Sequence, residues 1–229
     1  MAIPSAYIVD AVRSPTGRRR GSLAGVHGAD LGAHVLRSLV ERNGIPDDEY
    51  DDVIFGCVDT IGPLAGDIAR TAWLAAGLSD AVPGTTIDRQ CGSSQQAAHF
   101  AAQGVMSGTQ DLVVAGGSQA MNAIPISAAM YAGEPYGFSN PFNTSPGWIA
   151  RYGDGLLNQI NSAEMIANKW GLSREEMEAF AVASHQRAQA AWDNGWFDAE
   201  VAPMAELAQD ETIRPQTNME GLAGLRTVQ

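Results

Sequence analysis

Apolar and polar positions along this chain fall into blocks that suit strands and helices in turn. Residues 6–12, Ala6-Tyr7-Ile8-Val9-Asp10-Ala11-Val12, read as a first strand ending near Arg13-Ser14-Pro15. A glycine-rich loop runs from Gly17 to Gly28. The spacing of Leu31, Val35, Ser38 and Leu39 then predicts a helix over 30–43, stopped by Gly44 and Pro46. Residues 52–58 form a second apolar run, a short helix is predicted from about Asp67 to Gly77, and residues 85–87 give a third strand. Another helix-like run follows, and residues 112–115 give a fourth strand leading into Gly116-Gly117. This β-α-β-α-β-α-β order predicts an α/β fold with a mostly parallel sheet.

The alternation breaks after Ala120. Residues 122–155 are rich in Gly, Pro, Asn, Ser and aromatics, and so long a loop is usually functional or disordered; the aromatics argue against disorder. The aromatics at 136–152 suit either a wide pocket or a packed surface. Two amphipathic helices are predicted next. One shows Ala163, Ile166, Ala167 and Trp170 on one face. The other opens with the capping box Ser173/Glu176 and carries Met177, Phe180, Ala181, Ser184 and Ala188 at helical spacing. Both apolar faces are expected to be core contacts.

Composition removes several function classes. The 229 residues carry a net charge of −12, which argues against a nucleic-acid binder. The one dense basic run, Arg18-Arg19-Arg20, reads as a solvated loop. Cys57 and Cys91 form neither a disulfide framework nor a zinc site, the four histidines show no metal-ligand spacing, and a reducing cytoplasmic location is expected. No signal peptide and no membrane-spanning stretch is expected.

Cys91 is the candidate nucleophile. It stands between a strand-like run and a helix-like run, in Asp88-Arg89-Gln90-Cys91-Gly92-Ser93-Ser94-Gln95. A thiol in the first turn of a helix would feel the positive end of the backbone dipole and free N–H groups, both of which favour thiolate. From Cys91 to Gln110 there is no charged residue, where the chain's average of 17% would give roughly three, so this helix is expected to be buried on most sides. His99, eight residues on, would lie ~12 Å away along a straight helix and reads as a packing residue. His185 reads as a partly exposed polar residue, and Cys57 as a small apolar filler in a strand.

Several motifs in order carry a family resemblance. They are Arg13-Ser14-Pro15-Thr16-Gly17 with Gly21-Ser22-Leu23; Arg89-Gln90-Cys91-Gly92-Ser93; Ala115-Gly116-Gly117-Ser118-Gln119-Ala120-Met121; Ser162-Ala163-Glu164; Leu172-Ser173-Arg174-Glu175 with Ser184-His185; and Arg214-Pro215 with Leu222-Ala223-Gly224-Leu225. The chain resembles the N-terminal half of a thiolase, a 3-ketoacyl-CoA thiolase or acetyl-CoA C-acetyltransferase, with its nucleophile block most similar to degradative bacterial members, including those acting on steroid-derived acyl-CoAs.

The resemblance implies a thiolase-like fold: a core half at 1–121, an inserted helical loop domain at 122–213, and a return toward the core at 214–229. It implies an acyl-cysteine intermediate on Cys91, with the backbone N–H of Cys91 helping to hold the oxyanion. Coenzyme A would be a substrate, with no permanently bound cofactor and no metal. A homodimer or homotetramer without nucleic-acid or membrane partners is implied. Asn158 and Gln159 stand where the family's acyl and CoA pocket residues lie, and Gln119 replaces the family's glutamate. The family's catalytic histidine and second cysteine come from a C-terminal half whose motifs do not occur here, so this chain alone is expected to be inactive, as a truncated, split or degenerate half. The rival readings are a ketoacyl synthase, a non-catalytic binding subunit and a redox-sensing cysteine.

Overall fold

The computed structural model describes residues 4–142, 144–155 and 158–227. Packing divides the chain into two compact units: 1–138 with 200–211, and 139–199 with 212–229.

The first unit is built on a parallel three-stranded sheet. Its strands are β1 (Asp52–Gly56), β2 (Gly84–Ile87) and β3 (Val113–Gly117), in the order β2-β1-β3. Val53 is opposite Gly84 on one side and Val114 on the other. β1 is central and covered on both faces, which explains why its sequence is apolar without alternation. Successive side chains still point to opposite faces. Val53 and Phe55 pack with Ala33, Leu36 and Val40 of α1 (Gly28–Asn43) and Ala69, Ala72 and Trp73 of α2 (Ile68–Ala75). Ile54 faces the other way, onto Ala97 and Ala101 of α3 (Ser93–Ser107). Capping follows the sequence. The imidazole of His27 accepts from the Ala29 N–H at 3.2 Å to open α1, and Gly44 at φ 69° closes it.

The segment 200–211 packs back on the first loop. Arg13 pairs with Glu200 at 2.7 Å and Asp210 at 2.8 Å. The Glu211 carboxylate accepts from the hydroxyl of Ser22 at 2.5 Å and from the backbone of Ser22 and Arg18. Those hydrogen bonds, the Ser22 hydroxyl foremost, hold its pKa below the ordinary glutamate value. Arg18, Arg19 and Arg20 are exposed, as a solvated loop should be.

Two expectations for this unit fail. Residues 6–12 form no strand: only Arg13 makes an isolated bridge, to Val201, and Ile8 is 91% exposed. A strand is stable only in a ladder. The space beside β3 is instead a cavity of about 480 Å³ lined by Val12, Leu31, Val35, Leu39 and Val114. Nor is α3 buried on most sides. Ser93, Gln96, Ala97 and Ala101 face the sheet, whereas Ala98, His99, Phe100 and Gln103 are exposed. Its uncharged sequence is suited to two covered faces, and this chain covers one.

The second unit is helical. It holds α5 (Pro146–Tyr152), α6 (Gln159–Trp170), α7 (Arg174–Asp193) and α8 (Met219–Ala223), while the one-turn α4 (Ala128–Tyr131) belongs to the first unit. The Ser173/Glu176 capping box opens α7 as expected, and Arg174 ties α7 to the backbone carbonyls of Leu222 and Leu225. The apolar faces of α6 and α7 are not core contacts. Of their residues only Ala167 and Ala191 are buried, and Phe180 is 71% exposed. Amphipathic spacing gives each helix a face, and among the described residues those faces stay largely exposed. Phe142, Trp148 and Tyr152 stack on one another with centroids 4.7 Å apart.

Candidate active site at the strand ends

The carboxyl ends of all three strands open into one cavity of about 310 Å³. Residues 56–59 reach it from β1; Gln90, Cys91, Ser93 and Ser94 from the turn after β2; and Gly117, Ser118, Gln119, Met121 and Ile126 from the chain after β3. Open parallel sheets place their ligands here, where loops leaving neighbouring strands diverge.

The turn from β2 to α3 presents Cys91. The Asp88 carboxylate accepts from the Gln90 N–H at 2.8 Å, and Gln90 adopts φ 49°, in the left-handed region. That conformation costs a non-glycine residue about 1–2 kcal/mol. Ser93 ties the turn shut: its buried hydroxyl donates to the Gln90 carbonyl at 2.5 Å and accepts from the Arg89 N–H at 2.9 Å. Cys91 therefore stands outside the helix. Gly92 is the N-cap and Ser93 the first helical residue, so the expected place of Cys91 within the first turn is corrected by two positions. The cysteine is exposed, which gives a substrate access to it.

Two glycines let this turn sit so close to the strands. A Cβ on Gly56 would collide with the backbone of Ser93 and Ser94, and one on Gly117 with the Ser94 hydroxyl and the Gly56 carbonyl oxygen. Both strands must end in glycine for α3 to start here.

Cys57 lines the same cavity. It is buried with Ala29, Leu64 and Ile68, as an apolar filler would be. Its thiol donates to the Val58 carbonyl at 3.4 Å and to the Gln119 side-chain oxygen at 3.5 Å. Burial first, and then the negative charges of Asp88 and Asp59, push its pKa up to about 11. Gln119 also accepts from the Val58 N–H at 2.9 Å. Both donors are neutral groups, which suits an amide oxygen here.

None of the four histidines lines the cavity. His27 caps α1, the Nε2 of His34 lies 3.1 Å from the Ala202 carbonyl, and His185 accepts from the Arg214 N–H at 3.2 Å. His99 is exposed rather than packed. Asn158 caps α6 by accepting from the Asn161 N–H at 3.0 Å, and Gln159 follows as its first residue; every residue lining the Cys91 cavity comes from the first unit. Sequence reasoning missed Asp59 and Ile126, and picked out Met121 only as the last residue of a motif. The signal for Asp59 was an acid directly after an apolar strand.

Among the described residues, no group of three His, Cys, Asp or Glu side chains could hold a metal ion, and no helix is long and apolar enough to cross a membrane.

The family model described as "Thiolase, N-terminal domain" matches residues 6–229. This chain belongs to the thiolase family. The "Steroid 3-ketoacyl-CoA thiolase FadA6" of Mycobacterium tuberculosis is 52% identical over 225 residues, covering 96% of this chain and 55% of that protein. A "3-ketoacyl-CoA thiolase" of Aliivibrio fischeri is 34% identical, covering 96% and 56%, and a "Beta-ketoadipyl-CoA thiolase" of Acinetobacter baylyi is 37% identical, covering 97% and 59%. The thiolase chain thus spans between half and two thirds of the length of these relatives. A thiolase domain accounts for the βα alternation.

Proposed function

We propose that this chain carries the acyl-accepting nucleophile of a 3-ketoacyl-CoA thiolase. The observation that carries this reading is an exposed Cys91, held by a strained turn at the joint mouth of three parallel strands. The Cys91 thiolate adds to the 3-keto carbon, the bond between C2 and C3 breaks, and acetyl-CoA departs as its enolate to be protonated. The shortened acyl group stays on sulfur as a thioester, and the thiol of a second CoA displaces it. Splitting the reaction at a covalent intermediate replaces one difficult step with two easier ones. In the opposite direction, an acetylated Cys91 takes part in a Claisen condensation. The steroid-thiolase name of the relative at 52% identity favours a steroid-derived or similar degradative acyl-CoA.

Proton transfer needs a base and an acid within hydrogen-bond reach of the reacting atoms. No histidine of this chain lines the cavity. The family's histidine and second cysteine would come from sequence beyond this chain, whether covalently continuous or in a separate subunit. Asn158 and Gln159 would then face acyl or CoA groups only in the completed enzyme, working as a homodimer or homotetramer.

Intact-mass measurement tests the reading. Incubation with acetyl-CoA should add one acetyl group per chain once the complementary half is present, and Cys91→Ser should gain none. An unmodified Cys91 in that complete mixture would favour a second reading, a binding subunit without catalysis, for which the lack of a cavity histidine speaks.

A further inference from the structure

Asp59 is an aspartate at 2% exposure whose charge serves no ion pair among the described residues. Both of its carboxylate oxygens are engaged by backbone: Oδ2 accepts from the Ser127 N–H at 2.9 Å and Oδ1 from the Ala129 N–H at 2.8 Å. Asp59 holds φ 56° and Ser127 φ 70°, so both ends of this tether are in the left-handed region. Such conformations are unfavourable for residues other than glycine and persist only where the surroundings determine them. The tether therefore fixes a path that the chain would not take unaided.

The path matters for what lies just before it. Ile124 packs against the cluster of Ala29, Cys57, Leu64 and Ile68, and its N–H reaches the Ala120 carbonyl at 3.0 Å. Pro125 follows with its φ fixed by the ring. Ile126 is thus held between a buried anchor on one side and the Asp59 tether on the other. Its side chain is 59% exposed, and it lines the cavity that contains Cys91, beside Met121.

We propose that Ile126 is a specificity-determining wall of the Cys91 cavity, limiting the bulk of the group that can approach the sulfur, and that Asp59 is the positioning residue that holds this wall in place. The proposal rests on the acyl-carrier reading of Cys91 for its biological meaning: the discriminated feature is branching or ring bulk in the acyl carbons nearest the reacting carbonyl. The wall itself is a physical property, measurable without acyl transfer.

The test is the ratio of Cys91 modification rates by two maleimides with one reactive group and different bulk, N-cyclohexylmaleimide and N-methylmaleimide, followed by intact mass and peptide mapping. General changes in thiol reactivity cancel in this ratio. Ile126→Ala should raise the cyclohexyl-to-methyl ratio about tenfold. Ile126→Val should fall between. Asp59→Ala should move the ratio in the same direction, and Asp59→Asn, which keeps one acceptor oxygen, should move it less. An Ile126→Ala ratio equal to wild type overturns the wall. A wild-type ratio in Asp59→Ala, at an unchanged melting temperature, overturns the positioning role; should that variant not fold, the same result in Asp59→Asn does so. Failure of the acyl-carrier reading shows separately, as no acetyl adduct on wild-type Cys91 in the complete enzyme.

Discussion

Cys57 and Cys91 line the same cavity, each just beyond the end of a neighbouring parallel strand, yet the fold leaves one sulfur closed and the other open. Cys57 continues the line of β1: its N–H reaches the Ile87 carbonyl at 3.0 Å, extending the ladder, so its side chain stays packed at 2% exposure. Cys91 comes after the chain has left the ladder. The Asp88–Gln90 turn and the Ser93 hydroxyl swing it out to solvent. The difference lies in one left-handed residue and one buried serine, not in the cysteines themselves. A strand end offers both environments within a few residues, and a nucleophile needs the second.

The largest expected effect tests this contrast directly. Raising a thiol from 9.0 to about 11 leaves about a hundredfold less thiolate at neutral pH than in an unperturbed cysteine, before burial is counted. Iodoacetamide at pH 7.5 should therefore add one group to the native chain, at Cys91, and two after denaturation. Equal labelling of both cysteines in the native chain would break the comparison.

The next effect concerns the platform beneath Cys91. Gly56→Ala places a methyl group against the backbone of Ser93 and Ser94, which cannot move without shifting the start of α3. Overpacking of this kind costs about 1–3 kcal/mol, and the expected outcome is a lower denaturation midpoint together with altered Cys91 alkylation. Gly117→Ala meets the Ser94 hydroxyl and also the Gly56 carbonyl oxygen, a backbone atom of the neighbouring strand, and should cost a comparable amount. A wild-type denaturation midpoint in either variant would count against this account. A smaller loss is expected for Ser93→Ala. It removes the hydroxyl bonds to Gln90 and Arg89, a change of about 1 kcal/mol because the Gln90 carbonyl keeps the Ser93 N–H at 3.1 Å, and should change the rate of Cys91 alkylation while leaving Cys57 closed.

How far the sequence foretold these regions depends on whether a partner was needed. β1, α1 and α2 were readable because their partners lie within 33–114, and Trp73 on α2 is fully buried. Trp170 on α6 has clear helical spacing but is exposed, since periodicity states which face is apolar and not what will cover it. The same holds for the outer face of α3 and for residues 6–12. At the site, the placement of Cys91 between a strand and a helix was legible from its neighbours, whereas the placement of Asp59 and Ile126 was not. That placement depends on a contact between residue 59 and residues 127 and 129 that no local pattern announces.

The smallest effect expected is the pH dependence that the closed sulfur imposes on folding. Burial and the nearby Asp88 and Asp59 charges favour the protonated thiol, so the folded chain keeps the Cys57 proton to about pH 11, while the unfolded chain releases it near 9.0. The raised value means that the unfolded state loses the proton first as pH rises. The contribution is therefore fully present below pH 9.0 and is lost progressively as pH climbs through about 11. Urea midpoints measured from pH 8 to 11.5 should fall across that window, and Cys57→Ala should flatten the part of the decline due to this group. A decline unchanged by Cys57→Ala would mean that the thiol is not held closed by its surroundings. The contrast with Cys91 would then reduce to exposure alone.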